Sequence, residues 1–392
     1  MTPYPQFTET HEIFRKTVRH FAERELKPQV ATWESAESFP AHEVMKRAGE
    51  LGILGAHYKV EHGGSGGDTW FSVAKSEELP RCQIGGVTMA LLVQSDMATP
   101  VIADVGTKEQ IEEFLKPALK GEKVACLGVT EPNAGSDVAS ISTTARRDGD
   151  DYVINGAKTF ITTGAQADFM TLLTKTHTNG GAHGCSFFLV PTKLKGFSVS
   201  KKIKKIGNHS SDTAQIFFDN LRVPKRYLLG EEGMGFMYLM QNFQSERLIG
   251  STSAVASMSY TLDDAVRYGR DRIAFGKPII KREVWQHKFA DLYTKIEAAR
   301  ALCYQAVTCY NHEHHELNQE LSSETVKLVS MCKIFVGELL SEVTDQALQF
   351  HGGAGYAEEF PIARAWRDAR LFRIGGGTTE TMRYYLAKLL GF

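Results

Sequence analysis

No two cysteines in this sequence stand at a CxxC spacing, and none pairs with a histidine at the interval of a metal-ligand set. The six (Cys82, Cys126, Cys185, Cys303, Cys309 and Cys332) are scattered along 392 residues. Reduced, mostly buried thiols are therefore expected, with no disulfide framework and no metal site. Charge of one sign is also missing. The formal net charge is -1, which gives no global field favouring nucleic acid or an anionic membrane. No run of about 18 apolar residues occurs, so no membrane span is expected. The opening "MTPYPQFTETHEIFRKTVRHF" has no apolar signal core and no Arg/Ser-rich transit character; a cytoplasmic protein is the expectation.

What is present is ordinary for a globular chain: 42% hydrophobic and 23% charged residues, enough for a large core divided among two or three regions. The first part, 1–122, reads as helices. Phe14, Val18, Phe21 and Ala22 keep a helical period before Pro28, and Thr107 and Gln110 stand in capping-box spacing. From 123 to 230 the pattern changes to short β-rich runs with turn signals, among them "RDGDDYVING", a hairpin turn between strands. The run "KKIKKI" reads as a solvated strand face. From 231 to 392 long helical segments return, about 236–271, 281–313 and 319–351, then a shorter terminal pair from 360. Long helices with short connections predict a bundle.

Several stretches carry chemistry-bearing residues. "VTEPNAGSDVA" (129–139) ends a predicted strand in small and polar residues, so Thr130 and Ser136 offer hydroxyls and amides to a polar ring edge or a phosphate, or form a plain surface loop. "KTFITTG" (158–164) sets Phe160 beside threonines; read alone, Phe160 is a core aromatic. "YGRDRIAFGKPI" (268–279) places Arg270, Arg272 and Lys277 after a helix, as a diphosphate clamp or as cations at a helix C-terminus. "LQFHGGAGY" (348–356) breaks a helix with glycines, either a helix end or a close ligand approach. Leu239, Phe243, Glu246 and Gly250 share one helical face. A glutamate on that stripe is either paired, for example with Arg247, or carries a raised pKa and a task. "FRIGGGTTE" (372–380) spends three glycines before the last helix, which calls for bare backbone there.

Taken in order, "GVTEPNAGSD", "KTFITTG", "FFDNLRVP", "RIAFGKPI", "QFHGGAGY" and "GGGTTE" resemble the acyl-CoA dehydrogenase family over essentially the full length. The pattern is most similar to the long-chain, isovaleryl-type and citronellyl-CoA dehydrogenases. The resemblance implies an α+β multi-domain fold: an N-terminal helical domain, a middle β-barrel and a C-terminal four-helix bundle. It implies FAD as cofactor, usually one per subunit of a homotetramer. Leu127, Val129, Thr130, Gly135, Ser136, Phe160, Ile161 and Thr162 would flank the flavin ring, with Ser136 also near CoA; the family usually has tryptophan where Phe160 stands. Arg272, Phe275, Gln349, Gly352 and Gly353 would meet an FAD lying mostly in a partner subunit. Thr378 and Glu380 would contact its adenosine part.

Many members carry the catalytic glutamate one residue before the "GT" of the last loop, where this chain has Gly376. A smaller group places the base on a bundle helix just before an arginine, which here is Glu246. The resemblance thus implies that Glu246 removes the α-proton of an acyl-CoA thioester while a β-hydride passes to flavin N5, giving the trans-2-enoyl-CoA. The Gly376 N–H would bind the thioester carbonyl, with Phe243, Arg247 and Gly375 along the substrate. A medium-to-long or methyl-branched, citronellyl-like acyl chain and an electron-transfer flavoprotein as acceptor complete the expectation. An acyl-CoA oxidase or flavin monooxygenase on the same fold is the alternative enzyme, and a non-catalytic acyl-CoA-binding scaffold the alternative of another class.

Overall fold

In a computed structural model, which describes residues 7–177 and 181–392, the chain runs from helices to a sheet and back to helices. The first helix, α1 (Glu9–His20), starts at Thr8, whose side chain and that of His11 close a capping box; Glu9 and Glu12 fill its first turn and Arg19 and His20 its last. Both ends thus suit the helix dipole. Helices α2 (Ala41–Glu50), α3 (Thr69–Glu78) and α4 (Gly85–Leu92) follow. The Thr107–Gln110 capping box is present. The stretch Gly85–Val105 has the length and hydropathy to cross a membrane, but 83% of its most apolar window is buried inside the molecule. It is the core of the helical region.

The expected middle β-barrel is one eight-stranded sheet. Its strands are β1 (Ala125–Gly128), β2 (Thr144–Asp148), β3 (Asp151–Thr162), β4 (Phe169–Lys175), β5 (Cys185–Pro191), β6 (Phe197–Lys202), β7 (Thr213–Pro224) and β8 (Leu228–Leu229). They pair in the order β6-β7-β3-β2-β4-β5-β8, with β1 parallel on β4. The expected hairpin joins β2 and β3, with Asp148 opposite Asp151 across the turn. Strands β4 and β5 are buried along nearly their whole length, as expected of strands covered on both faces.

The returning helices are α5 (Gly235–Asp271), α6 (Glu283–Tyr310), α7 (Ser323–His351), α8 (Pro361–Ala369) and α9 (Thr379–Leu389). Helix α7 packs against α5, α6, α8 and α9, and α3 docks on α5. That places α5 at the junction of all three regions. Buried polar groups stitch the regions together. Gln94 donates to the carbonyls of Ala118 (3.0 Å) and Lys123 (2.8 Å) and accepts from the Ala125 N–H (2.7 Å), tying the helices to β1. Asn242 of α5 donates to the Met97 carbonyl at 2.8 Å, and Ser76 and Thr252 share a hydrogen bond of 2.7 Å between α3 and α5. Truncating Gln94 takes away the side-chain partner of the Lys123 carbonyl and of the Ala125 N–H, at about 1–3 kcal/mol for each buried group left unsatisfied. Gln94→Leu is therefore expected to lower the urea midpoint sharply, and an unchanged midpoint counts against this stitch.

Candidate active site

A cavity of about 1350 Å³ lies where the sheet meets α5, α7 and the segment before α9. Single small-molecule sites run to about 300–1,000 Å³, so there is room here for two bound molecules. One wall is the loop after β1 together with the end of β3. Leu127, Val129, Thr130, Gly135 and Ser136 line it, facing Phe160, Ile161 and Thr162. The side-chain hydroxyls of Thr130, Ser136 and Thr162 make no hydrogen bond to other described residues, and a Cβ on Gly135 would meet nothing within 4 Å. Polar donors with no partner, on open backbone, suit a flat heteroaromatic ring.

Phe160 is not a core aromatic. It sits at φ +59° and is 65% exposed on the cavity side. Register shifts between β3 and β7 at Lys158–Ile161 re-aim the strand end. Lys201 and Lys202 form a solvated strand face as expected, whereas Ile203 to Ile206 turn to the cavity rim.

The loop is held from beneath by two residues that pattern reading missed. Lys158, fully buried, donates to the Val129 carbonyl (2.8 Å) and to the Glu131 carboxylate (2.9 Å). Glu131 in turn accepts from the backbone N–H groups of Ser142 (2.6 Å) and Thr143 (2.9 Å). Burial pushes the carboxyl up, but Lys158 and these donors hold it well below the usual range. A charged residue at an inward strand position was the available signal. Removing one partner of a buried pair costs about 3–5 kcal/mol. Lys158→Met is accordingly expected to drop the melting temperature, and a melting curve that overlays wild type contradicts this account.

The opposite wall comes from α5. Phe243, Glu246, Arg247 and Gly250 line the cavity, while Leu239 of the same stripe is packed in the core. Glu246 makes no ion pair and no hydrogen bond with any described residue. Arg247 does not neutralise it directly, because its Nε donates to the Gly376 carbonyl at 3.0 Å. Glu246 is half-buried, and the surface it retains faces the cavity. Burial raises its pKa above the ordinary carboxylate value, against the lowering pull of Arg247 and then Lys333.

The glycine segment closes the site. Gly376 adopts φ +68°, and a Cβ there would come within 3.2 Å of Glu246 Oε1. Its N–H has no hydrogen-bond partner among the described residues, and Gly375, Gly376 and Thr378 line the cavity. The segment is anchored by Phe372. A Cβ on Gly250 of α5 would stand 3.2 Å from the Phe372 ring, and one on Gly337 of α7 would stand 3.5 Å from it. The ring is therefore clasped between two helices at positions where neither carries a side chain.

The remaining sequence candidates lie elsewhere on the chain. Arg272, Phe275, Gln349, Gly352 and Gly353 do not border this cavity and are exposed, as is Glu380 in the first turn of α9. Thr378 is the N-cap of α9, accepting from the Thr381 N–H at 3.2 Å.

Comparison with known proteins agrees with this geometry. Sequence models of the acyl-CoA dehydrogenase N-terminal, middle and C-terminal domains match residues 8–122, 126–221 and 233–391. The long-chain specific mitochondrial acyl-CoA dehydrogenase of Rattus norvegicus is 38% identical over 97% of this chain and 86% of its own length. The solved acyl-CoA dehydrogenase of Bacillus anthracis complexed with FAD superposes with a TM-score of 0.93 at 31% identity, covering 100% of this chain and 69% of that one. A chain from the structure concerning the electron transferring flavoprotein of Acidaminococcus fermentans reaches 0.92 at 33% identity, over 99% and 100% of the two chains. The three domain matches in order, the identity over nearly the whole length and the shared fold have one meaning: the chain belongs to the acyl-CoA dehydrogenase family.

Proposed function

We propose that this chain oxidises an acyl-CoA thioester to the trans-2-enoyl-CoA with Glu246 as the base. The observation that carries the reading is the unpaired Glu246 carboxylate, set over the bare backbone of Gly376 in a cavity with room for cofactor and substrate. The cofactor is FAD. The open loop of Thr130, Gly135 and Ser136 and the exposed Phe160 ring fit a flavin, and when bound it supplies the acceptor for the β-hydride.

The chain's own groups do the rest. The Gly376 N–H donates to the thioester carbonyl, and this stabilises the negative charge that develops there as the α-proton leaves. Glu246 takes that proton and holds it. A catalytic base works best with a pKa near the operating pH, and burial moves this carboxyl in that direction. Arg247 fixes the Gly376 carbonyl, so the N–H on the neighbouring peptide face keeps its aim. A side chain at 376 would fill the space the α-carbon needs.

The acyl tail runs along Met89, Leu92, Val93 and Met97 on one side and Phe236, Met240 and Phe243 on the other. This long apolar lining supports a medium-to-long or methyl-branched chain. With an artificial electron acceptor, thioesters of that class are expected to turn over faster than butyryl-CoA; the reverse order contradicts this assignment.

Assembly, acceptor and location belong to the same proposal. A homotetramer gives the exposed Arg272, Phe275, Gln349, Gly352 and Gly353 a partner's FAD to bind, with Phe275 96% exposed in the single chain. An electron-transfer flavoprotein takes the electrons, and the six free cysteines suit a reducing cytoplasm. Light scattering is expected to give the mass of four chains, whereas a fully flavinylated monomer rules out the cross-subunit contact.

Glu246→Gln is expected to keep its yellow FAD and to slow substrate-dependent flavin bleaching by about 100-fold or more. Bleaching at the wild-type rate would falsify the assignment. Since the base must be ionised, the wild-type rate falls as pH drops, through a limb above the ordinary glutamate value of about 4.3.

A further inference from the structure

Helix α7 brings a lysine to the cavity wall near Glu246. Lys333 is 4% exposed, on a stripe otherwise made of Ser330, Val336, Gly337 and Leu340, all of them buried. Its Nζ donates to the Phe372 carbonyl and stands 4.0 Å from the centre of the Phe372 ring. Its Cε lies 3.6 Å from the point that a Cβ on Gly376 would occupy, and Glu246 Oε1 lies 3.2 Å from that same point. Two helices thus bring a lysine stem and a carboxylate up to the same open position on Gly376.

The charged surroundings are few. From α5 come Glu246 and Arg247, the latter tied to the Gly376 carbonyl. From α9 comes Tyr385, which acts on Arg247. The segment before α9 contributes Arg373, which is paired with Glu338 at 3.1 Å and also neighbours Arg383 through that carboxylate. Among the described residues, Lys333 is left as a cation bonded to the Phe372 carbonyl and set over the Phe372 ring, with no ion pair. A buried ammonium in that state is costly unless a carboxylate faces it. Burial pushes its pKa down to about 8, and Glu246 pulls it back up.

We propose that Lys333 is a positioning residue for this reaction: it ties the glycine segment to α7 through the Phe372 carbonyl and holds the Glu246 carboxylate ionised as the cavity dries. The inference rests on Glu246 being the base. Substrate entry removes water from around the carboxylate, which favours the protonated, inactive form. A positive charge held nearby on the Phe372 carbonyl opposes that drift without forming the direct ion pair that would block proton transfer. The lysine stem also packs beside Gly376.

The test uses the FAD-loaded enzyme and a medium-chain acyl-CoA, reading anaerobic flavin bleaching against pH. Lys333→Gln keeps a donor for the Phe372 carbonyl but removes the charge. Its acidic limb is expected to move up by about one pH unit, which lowers the rate below the limb by about tenfold. Lys333→Met, lacking both donor and charge, is expected to shift the limb equally and to lower the high-pH plateau as well. Lys333→Arg is expected to keep the wild-type limb. A Lys333→Gln limb at the wild-type position, or an arginine variant shifted like the glutamine one, overturns the proposal. The two readings fail separately, because Glu246→Gln that still bleaches removes the base, while an unmoved limb in an enzyme that needs Glu246 removes only the lysine.

Discussion

Everything distinctive about the site follows from one half-buried carboxylate that has no partner among the described residues. An unpaired Glu246 is expensive in a folded protein, and the structure keeps it so by diverting the cations around it. Arg247 is turned to the Gly376 carbonyl and Lys333 to the Phe372 carbonyl. Either cation swung onto Glu246 would give a more comfortable carboxylate and a poorer base. The neighbouring charges act through space, tempering the rise in pKa that burial imposes rather than cancelling it.

That arrangement constrains the backbone opposite. Gly376 sits at positive φ with Glu246 Oε1 3.2 Å from where its Cβ would be, so space and conformation both select glycine. The segment's position is set one turn earlier, where the Phe372 ring enters between Gly250 and Gly337. Three glycines far apart in the sequence therefore serve one purpose. Two admit the anchor ring, and the third presents a bare amide to the cavity. On the other wall, the buried Lys158–Glu131 pair holds the loop of Thr130 and Ser136 in the same manner, by a charge-assisted bond beneath an open polar surface.

The relation of the three regions has a similar logic. The sheet alone offers a loop and the bundle alone offers a carboxylate, and neither makes a cavity. Their separation is fixed by uncharged buried hydrogen bonds, with Gln94 at the helix–sheet seam and Asn242 and Thr252 where α5 meets the N-terminal helices. Such bonds specify direction as well as contact, because each buried partner left unmade carries a penalty.

The succession of helices, strands and helices was legible in the sequence because hydrophobic periodicity is a local property that three regions express in turn. Glu246 was legible for the same reason: a charge interrupting an apolar helical stripe stands out without coordinates. Along the shared face, Phe243 and Gly250 line the cavity while Leu239 packs in the core, since a stripe on a helix crossing three regions can face a cavity at one turn and core at the next. Phe160, a core aromatic when its stretch is read alone, lies on the cavity wall as the family resemblance implied, because a shift in strand register is decided by the partner strand. Lys333, Phe372 and the Gly250–Gly337 slot were invisible in sequence. Their meaning depends on α5 and α7 lying side by side, and only the packing of the folded chain brings residues 246, 333 and 376 around a single point.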